Sequence, residues 1–115
     1  MHALNFSPPY EPYLLDGSKT TTLRAANVHG LVVGDHVRIT LGWPDGPRRE
    51  LGHARLVMAN ECRIDTLTTD DLRGESPDCR SPEMARRVLA QIYQRDFSGD
   101  DRVWLLRFEW LPATP

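Results

Sequence analysis

Gly17-Ser18-Lys19-Thr20-Thr21-Thr22-Leu23-Arg24 sets an amine, a run of three threonines and a guanidinium directly after a glycine. The β-branched run predicts a short strand over Lys19–Arg24, and the preceding Asp16-Gly17 reads as the stop of a helical turn. A lysine that is desolvated, or that lies beside another cation, takes the proton of a threonine hydroxyl and readies it for attack on a carbonyl. Arg24 is a candidate both for favouring the neutral amine and for holding an anionic group. Residues three apart in an unbroken strand point to opposite faces, so Lys19 and Thr22 diverge unless Lys19 still lies in the turn or the strand bulges. The plainer reading is a threonine-rich strand carrying a lysine that snorkels to water.

Working outward, Ala3 to Phe6 predicts a short opening strand. Ser7-Pro8-Pro9-Tyr10-Glu11-Pro12 reads as a turn that enters one or two helical turns. Asn27 to Val33 reads as a loop closed by Gly34-Asp35. Apolar and polar residues alternate in Val37-Arg38-Ile39-Thr40-Leu41, the pattern of a half-buried strand, and Trp43-Pro44-Asp45-Gly46-Pro47 reverses the chain. In the long strand that follows, Ala54, Leu56, Met58, Cys62 and Ile64 share one parity and are expected to point inward, with a bend or bulge near Asn60. Two helices are predicted next. Thr68 caps the first, with Asp71 three residues on and a Leu67–Leu72 staple, and Gly74 ends it. Ser81-Pro82-Glu83 opens the second, whose Met84, Val88 and Ile92, with Ala85 and Leu89 beside them, form an apolar stripe suited to core packing. Trp104, Leu106, Phe108 and Trp110 alternate inward as a closing strand. Strands, then helices, then a strand, without βαβ alternation, predict an α+β fold or small mixed barrel.

The 115 residues fit one domain, placed at 1–111, with Pro112-Ala113-Thr114-Pro115 as a frayed tail. Hydrophobic residues make up 40% and charged residues 26%, which excludes a disordered chain. No apolar run approaches the ~20 residues that cross a bilayer, and the N-terminus lacks the features of a secretory signal. A cytoplasmic protein with no membrane partner is therefore expected. Cys62 and Cys79 match no zinc or redox spacing and are expected as free thiols, with nothing near Cys79 to lower its pKa. The net charge of −2 argues against nucleic-acid binding by bulk electrostatics, though not against a local basic groove. Of the 14 Lys and Arg residues only Lys19 is a lysine. Arginine stays protonated where a lysine can act as a base, so the exception suggests a need for an amine. A general arginine bias with one leftover surface lysine explains the count equally well.

Gly17–Arg24 followed by Gly34-Asp35 resembles the G-x-K-T-x-T-x-R … G-D pattern of the ASCH family, whose fold is a PUA-like β-barrel. Ile64-Asp65-Thr66-Leu67-Thr68 and Ile92-Tyr93, ahead of the aromatic closing strand, are similar to the small bacterial members that hydrolyse N4-acetylcytidine. The resemblance spans nearly the whole chain. It implies a PUA-like (ASCH) small mixed barrel of the α+β class with two to three short helices. In those amidohydrolases the motif lysine accepts a proton, the second threonine of K-T-x-T is the nucleophile, and a glutamate after the first mid-chain helix donates a proton. The matching residues are Lys19, Thr22 and Glu75. Gly74-Glu75-Ser76-Pro77-Asp78-Cys79-Arg80-Ser81 is longer than the family's counterpart, so Asp71 and Asp78 stand beside Glu75 as candidate acids. Thr20, Arg24 and Tyr10 are the candidates for substrate contact.

A metal-independent amidohydrolase that deacylates an N4-acylated cytidine or cytosine is the function this implies. Such chemistry needs a nucleophile, a base and an acid, with no cofactor. His2, His29, His36 and His53 are scattered in sequence, the last two on expected outward faces, and offer no metal-ligand cluster. A non-catalytic RNA-binding module, or a ribonuclease, is the alternative, so the expected partner is a small nucleoside or nucleobase, or RNA. Arg48-Arg49 could touch phosphate or form a solvated pair, and Tyr10, Tyr13 and Trp43 could stack a base or cap a small core. The oligomeric state is not legible in the sequence.

Overall fold

The computed structural model describes residues 1–112. Five strands form one sheet in the order β1-β3-β4-β5-β2. They are β1 (Ala3–Phe6), β2 (Thr21–Arg24), β3 (His36–Leu41), β4 (Arg49–Arg63) and β5 (Arg102–Trp110). β1 pairs parallel with β3, and every other pairing is antiparallel. A 3-10 turn at Pro8–Tyr10 leads into α1 (Glu11–Leu15), a second follows β4 at Ile64–Thr66, and α2 (Pro82–Tyr93) packs across the sheet. β1 and β2 are the two edges of the sheet, yet Arg24 Nη2 donates to the carbonyl of Asn5 at 2.9 Å. The sheet therefore curls into a half-barrel whose seam is bridged by a side chain rather than by a ladder. This is the predicted mixed α+β architecture.

Two cores lie on opposite faces of the sheet. Leu4, Phe6, Val37, Ile39, Leu56 and Phe108 belong to the first, and Ile64, Leu72, Leu89, Val103 and Leu105 to the second. β5 serves both, because Leu106 and Phe108 face the first core while Val103 and Leu105 face the second. The expected inward set of Trp104, Leu106, Phe108 and Trp110 is therefore only half of the buried pattern. A strand covered on both faces reads as a near-continuous apolar run rather than an alternation, and Val103-Trp104-Leu105-Leu106 is such a run.

β4 departs from its expected single parity for a related reason. Leu56 pairs with Phe108 and Met58 with Arg107, which leaves Val57 as the extra residue of a bulge. Beyond it Ala59 packs on the first core, while Met58 and Cys62 pack on the second. One inserted residue exchanges the faces of everything that follows. The irregularity sits at Val57, three residues before the expected Asn60, which pairs in register with Leu105.

The helix expected from Thr68 to Gly74 is a succession of turns. Its capping box does form: Thr68 N–H donates to Asp71 Oδ2 at 2.9 Å and Asp71 N–H to Thr68 Oγ1 at 3.1 Å. Leu72 N–H makes a helical bond to the Thr68 carbonyl at 3.2 Å, but Arg73 and Glu75 N–H go to carbonyls three residues back, and the Gly74 carbonyl takes the N–H groups of Thr20 and Thr21, at 2.8 and 3.0 Å. α2 forms as expected, with Ser81 Oγ accepting from Met84 N–H and Pro82 at the first helical position. Its stripe is rotated, however. Ala85 and Leu89 are buried, Val88 is half-buried, and Ile92 is 51% exposed at the edge of a cavity. The expected frayed tail lies, from Ala113 onward, outside the described residues.

Candidate active site

α1 ends at Gly17, whose φ of +81° is the left-handed conformation that suits glycine. Ser18 N–H then turns back to Asp16 Oδ1 at 2.8 Å, and Lys19 N–H to the Tyr13 carbonyl at 2.9 Å. Lys19 is thus still in the connection, and β2 begins only at Thr21. That is the condition under which Lys19 and Thr22 share a hollow, and both line one cavity with Tyr10, Arg24 and Glu75. The side chains of Lys19, Thr22 and Glu75 are 3%, 5% and 5% exposed.

Lys19 Nζ is ion-paired with Glu75 Oε1 and also donates to the Thr21 carbonyl at 3.0 Å. It lies 5.5 Å from the centre of the Phe6 ring and 5.1 Å from that of Tyr10, so the ammonium sits between aromatic walls. Glu75 Oε1 accepts from Ser76 N–H at 3.1 Å as well. The carboxylate is held by the backbone beside it as well as by the amine.

Gly74 brings these two segments together. A Cβ there would lie 2.5 Å from Thr20 Oγ1 and 2.6 Å from Thr21 Oγ1. Only a residue without a side chain lets its carbonyl reach both amides of the entering strand, and the next residue, Glu75, then meets Lys19.

Arg24 Nε donates to Thr22 Oγ1 at 3.3 Å, and its guanidinium carbon lies 5.1 Å from the Phe6 ring centre. Tyr10 OH donates to Asp78 Oδ2 at 3.1 Å, and Ser76 Oγ to Asp78 Oδ1 at 2.8 Å. Burial first, and then Asp78, holds the Tyr10 phenol well above its ordinary value. Burial, followed by the Glu75 carboxylate, pushes the Cys79 thiol up to about 12. Cys79 is therefore not the loop thiol its polar surroundings in sequence imply; it is 2% exposed and lines the same cavity.

Of the three candidate acids, Glu75 alone meets Lys19. Asp71 is spent on the cap at Thr68, and Asp78 stands behind the cavity, bonded to Tyr10 and Ser76. Thr20 does not join the site; it borders a separate depression with Asp70, Arg73 and Arg107. Thr20 precedes β2, so strand alternation does not set it beside Thr22; its hydroxyl lies with that of Thr21 against Gly74, and Thr21 accepts from Arg107 Nε at 3.2 Å on the face away from the cavity. Tyr13 and Trp43 also lie outside the cavity. The histidines are paired in space rather than scattered: His36 Nε2 and His53 Nδ1 are 2.8 Å apart, and His2 stacks on His29 at 4.2 Å. Phe6, Ser76, Cys79 and Tyr93 line the cavity without having been singled out as site residues. Phe6, Ser76 and Cys79 read in sequence as ordinary strand or loop residues, and Tyr93 stands only in the Ile92-Tyr93 segment of the family resemblance.

An ASCH domain from Lactobacillus crispatus JV V101 has a similar structure, with a TM-score of 0.60 and 15% identity, over 86% of this chain and 68% of that one. The fold is that of an ASCH domain. A protein from Enterococcus faecalis V583, assigned to the DUF984 family model, is similar with a TM-score of 0.62 and 19% identity, over 90% of this chain and 70% of that one. No family model and no curated protein matches the sequence. The ASCH fold thus sets the cavity at the barrel seam, where β1 contributes Phe6 and β2 contributes Thr22 and Arg24.

Proposed function

We propose that the cavity is the active site of an amidohydrolase that removes the acyl group from an N4-acylated cytosine, without a metal. The observation that carries this reading is the buried Lys19–Glu75 pair in one hollow with the Thr22 hydroxyl. The hollow measures about 80 Å³. That is well below the roughly 300–1,000 Å³ of pockets that engulf a drug-sized ligand, so it takes the reacting end of a substrate and not the whole of it.

In a site this dry, an ammonium against a carboxylate is separated from the neutral amine and carboxylic acid by one proton moving along their hydrogen bond. From the neutral pair, Lys19 takes the Thr22 hydroxyl proton as Oγ1 attacks the acyl carbon. Glu75 gives its proton to the exocyclic nitrogen as the C–N bond breaks, leaving the acyl group on Thr22 and the ammonium–carboxylate pair restored. Water then adds to the ester, with its proton going to Glu75. Thr22 leaves with the proton held by Lys19, which returns the neutral pair. Arg24, already bonded to Thr22 Oγ1, steadies negative charge on the attacking oxygen.

The test is deacetylation of N4-acetylcytidine followed by absorbance. Lys19→Arg keeps the charge but removes the base, and is expected to lower kcat by about 100-fold or more. Turnover that persists in that variant would end the assignment of Lys19.

A further inference from the structure

We propose that the cavity continues into a phosphate subsite built on Arg24 and Arg48, so that the preferred substrate is a nucleotide and not a free nucleoside. The inference rests on the deacylase reading for which end of the substrate reacts. A second groove, of about 340 Å³, adjoins the cavity and shares Asn5, Ser7, Arg24 and Ile92 with it. Arg24 therefore faces both spaces, with its Nε on Thr22 at the reacting end.

Three observations point to an anion in that groove. Arg24 is partly buried, and among the described residues no carboxylate lies within 4.0 Å of it. Its Nε and Nη2 donate to Thr22 and Asn5, while Nη1 has no protein partner among the described residues. A desolvated guanidinium without a counter-charge is costly, and its planar fork matches a phosphate.

Arg48 lines the same groove and also lacks a carboxylate partner among the described residues, in contrast to Arg49, which pairs with Glu11. The groove has His29 as well, and among the described residues no Asp or Glu lines it, although the chain contains 16 acidic residues. The other polar depressions mix signs, Glu83 with Arg86 and Arg87 in one and Asp70 with Arg73 and Arg107 in another. A phosphate on the ribose of a base held in the cavity is the ligand group that suits such a neighbour. It can come from a mononucleotide or from a phosphodiester within RNA.

Binding and turnover are measured in parallel on the full chain. Calorimetric titrations compare cytidine with cytidine 5′-monophosphate. Deacetylation assays compare N4-acetylcytidine, its 5′-monophosphate and a short acetylated oligoribonucleotide. The monophosphate is expected to bind about tenfold or more tightly than cytidine, as one charge-assisted pair allows. Arg48→Ala, a change at an exposed loop side chain, is expected to remove most of that ratio. An oligonucleotide that outperforms the monophosphate and loses its advantage in Arg48→Ala also supports the subsite, with the phosphodiester as its source. Equal binding of cytidine and its monophosphate, no measurable binding of the monophosphate, or a preference that survives Arg48→Ala overturns the proposal. Loss of the deacylase reading looks different: no acetylated compound turns over, while the phosphate preference and its dependence on Arg48 remain.

Discussion

Glu75 is the residue on which the site turns, because it faces Lys19 on one side and Cys79 on the other. The thiol supplies a test of that environment that does not depend on activity. Folding holds its pKa at about 12, against an ordinary 9. Below pH 9 the folded and unfolded thiols both keep their proton, and the contribution to stability is complete. Above it the unfolded chain releases the proton while the folded chain retains it, so stability falls as pH rises from 9 towards 12. The slope for one proton is at most ~1.4 kcal/mol per pH unit. Urea unfolding of the wild type and of Cys79→Ala from pH 8 to about 10.5 is expected to show a flatter decline in the variant, apart from a constant offset for the lost side chain. Equal declines would place Cys79 outside the influence of burial and of Glu75. Lys19 and Thr22 were candidates through the motif that carries the family resemblance, whereas the meeting of Glu75, rather than Asp71 or Asp78, with Lys19 was not legible. Three acids within eight residues look equivalent until the chain shows which one turns inward.

Among the elements, the turns from Thr68 to Glu75 stand where a helix was expected, and they bring Glu75 to Lys19. Gly74 is their fixed point, since its carbonyl receives two amides of the segment entering β2. In Gly74→Ala the new Cβ would meet the hydroxyls of Thr20 and Thr21 inside van der Waals contact. Either the turn or β2 must shift, which parts Lys19 from Glu75. Overpacking of this kind costs about 1–3 kcal/mol, and a displacement near 1 Å in a site lowers turnover by ~100-fold. A variant that unfolds at the wild-type denaturant midpoint with full activity would contradict this role. Sequence reading placed the cap at Thr68 and the stop at Gly74 correctly in position. It missed that the segment's last carbonyl is spent on another strand, because that competition involves a partner more than 50 residues away.

At the scale of the whole molecule, two cores share one sheet, and β5 contributes to both. Leu56 belongs to the first core and Leu89 to the second. Truncation of either to alanine is expected to cost about 2–5 kcal/mol. The double variant should lose the sum within ~0.5 kcal/mol, since the two residues share no partner within either cluster. Unfolding should remain a single transition in all of them, because neither core keeps its wall once β5 is lost. Two separated transitions in the Leu89→Ala variant would show that the α2 side melts independently. The half-barrel seam also belongs to this scale. Arg24 reaches from β2 to Asn5 on β1, two strands at opposite edges of the sheet, and the cavity opens beside that bridge.

By itself the sequence determined the strand-rich order of elements, the turn that delivers Lys19 to β2, the cap of α2 and the presence of amine, hydroxyl and guanidinium in one short segment. Those features depend on neighbours within a few positions, through backbone preference and side-chain period. Only the tertiary structure decided that β5 is buried on both faces, that Val57 bulges and exchanges the faces of β4, that Glu75 is the acid against Lys19, and that Thr20 faces away. Each of those depends on which distant backbone satisfies a hydrogen bond or covers an apolar face, and the linear order of residues does not carry that information locally.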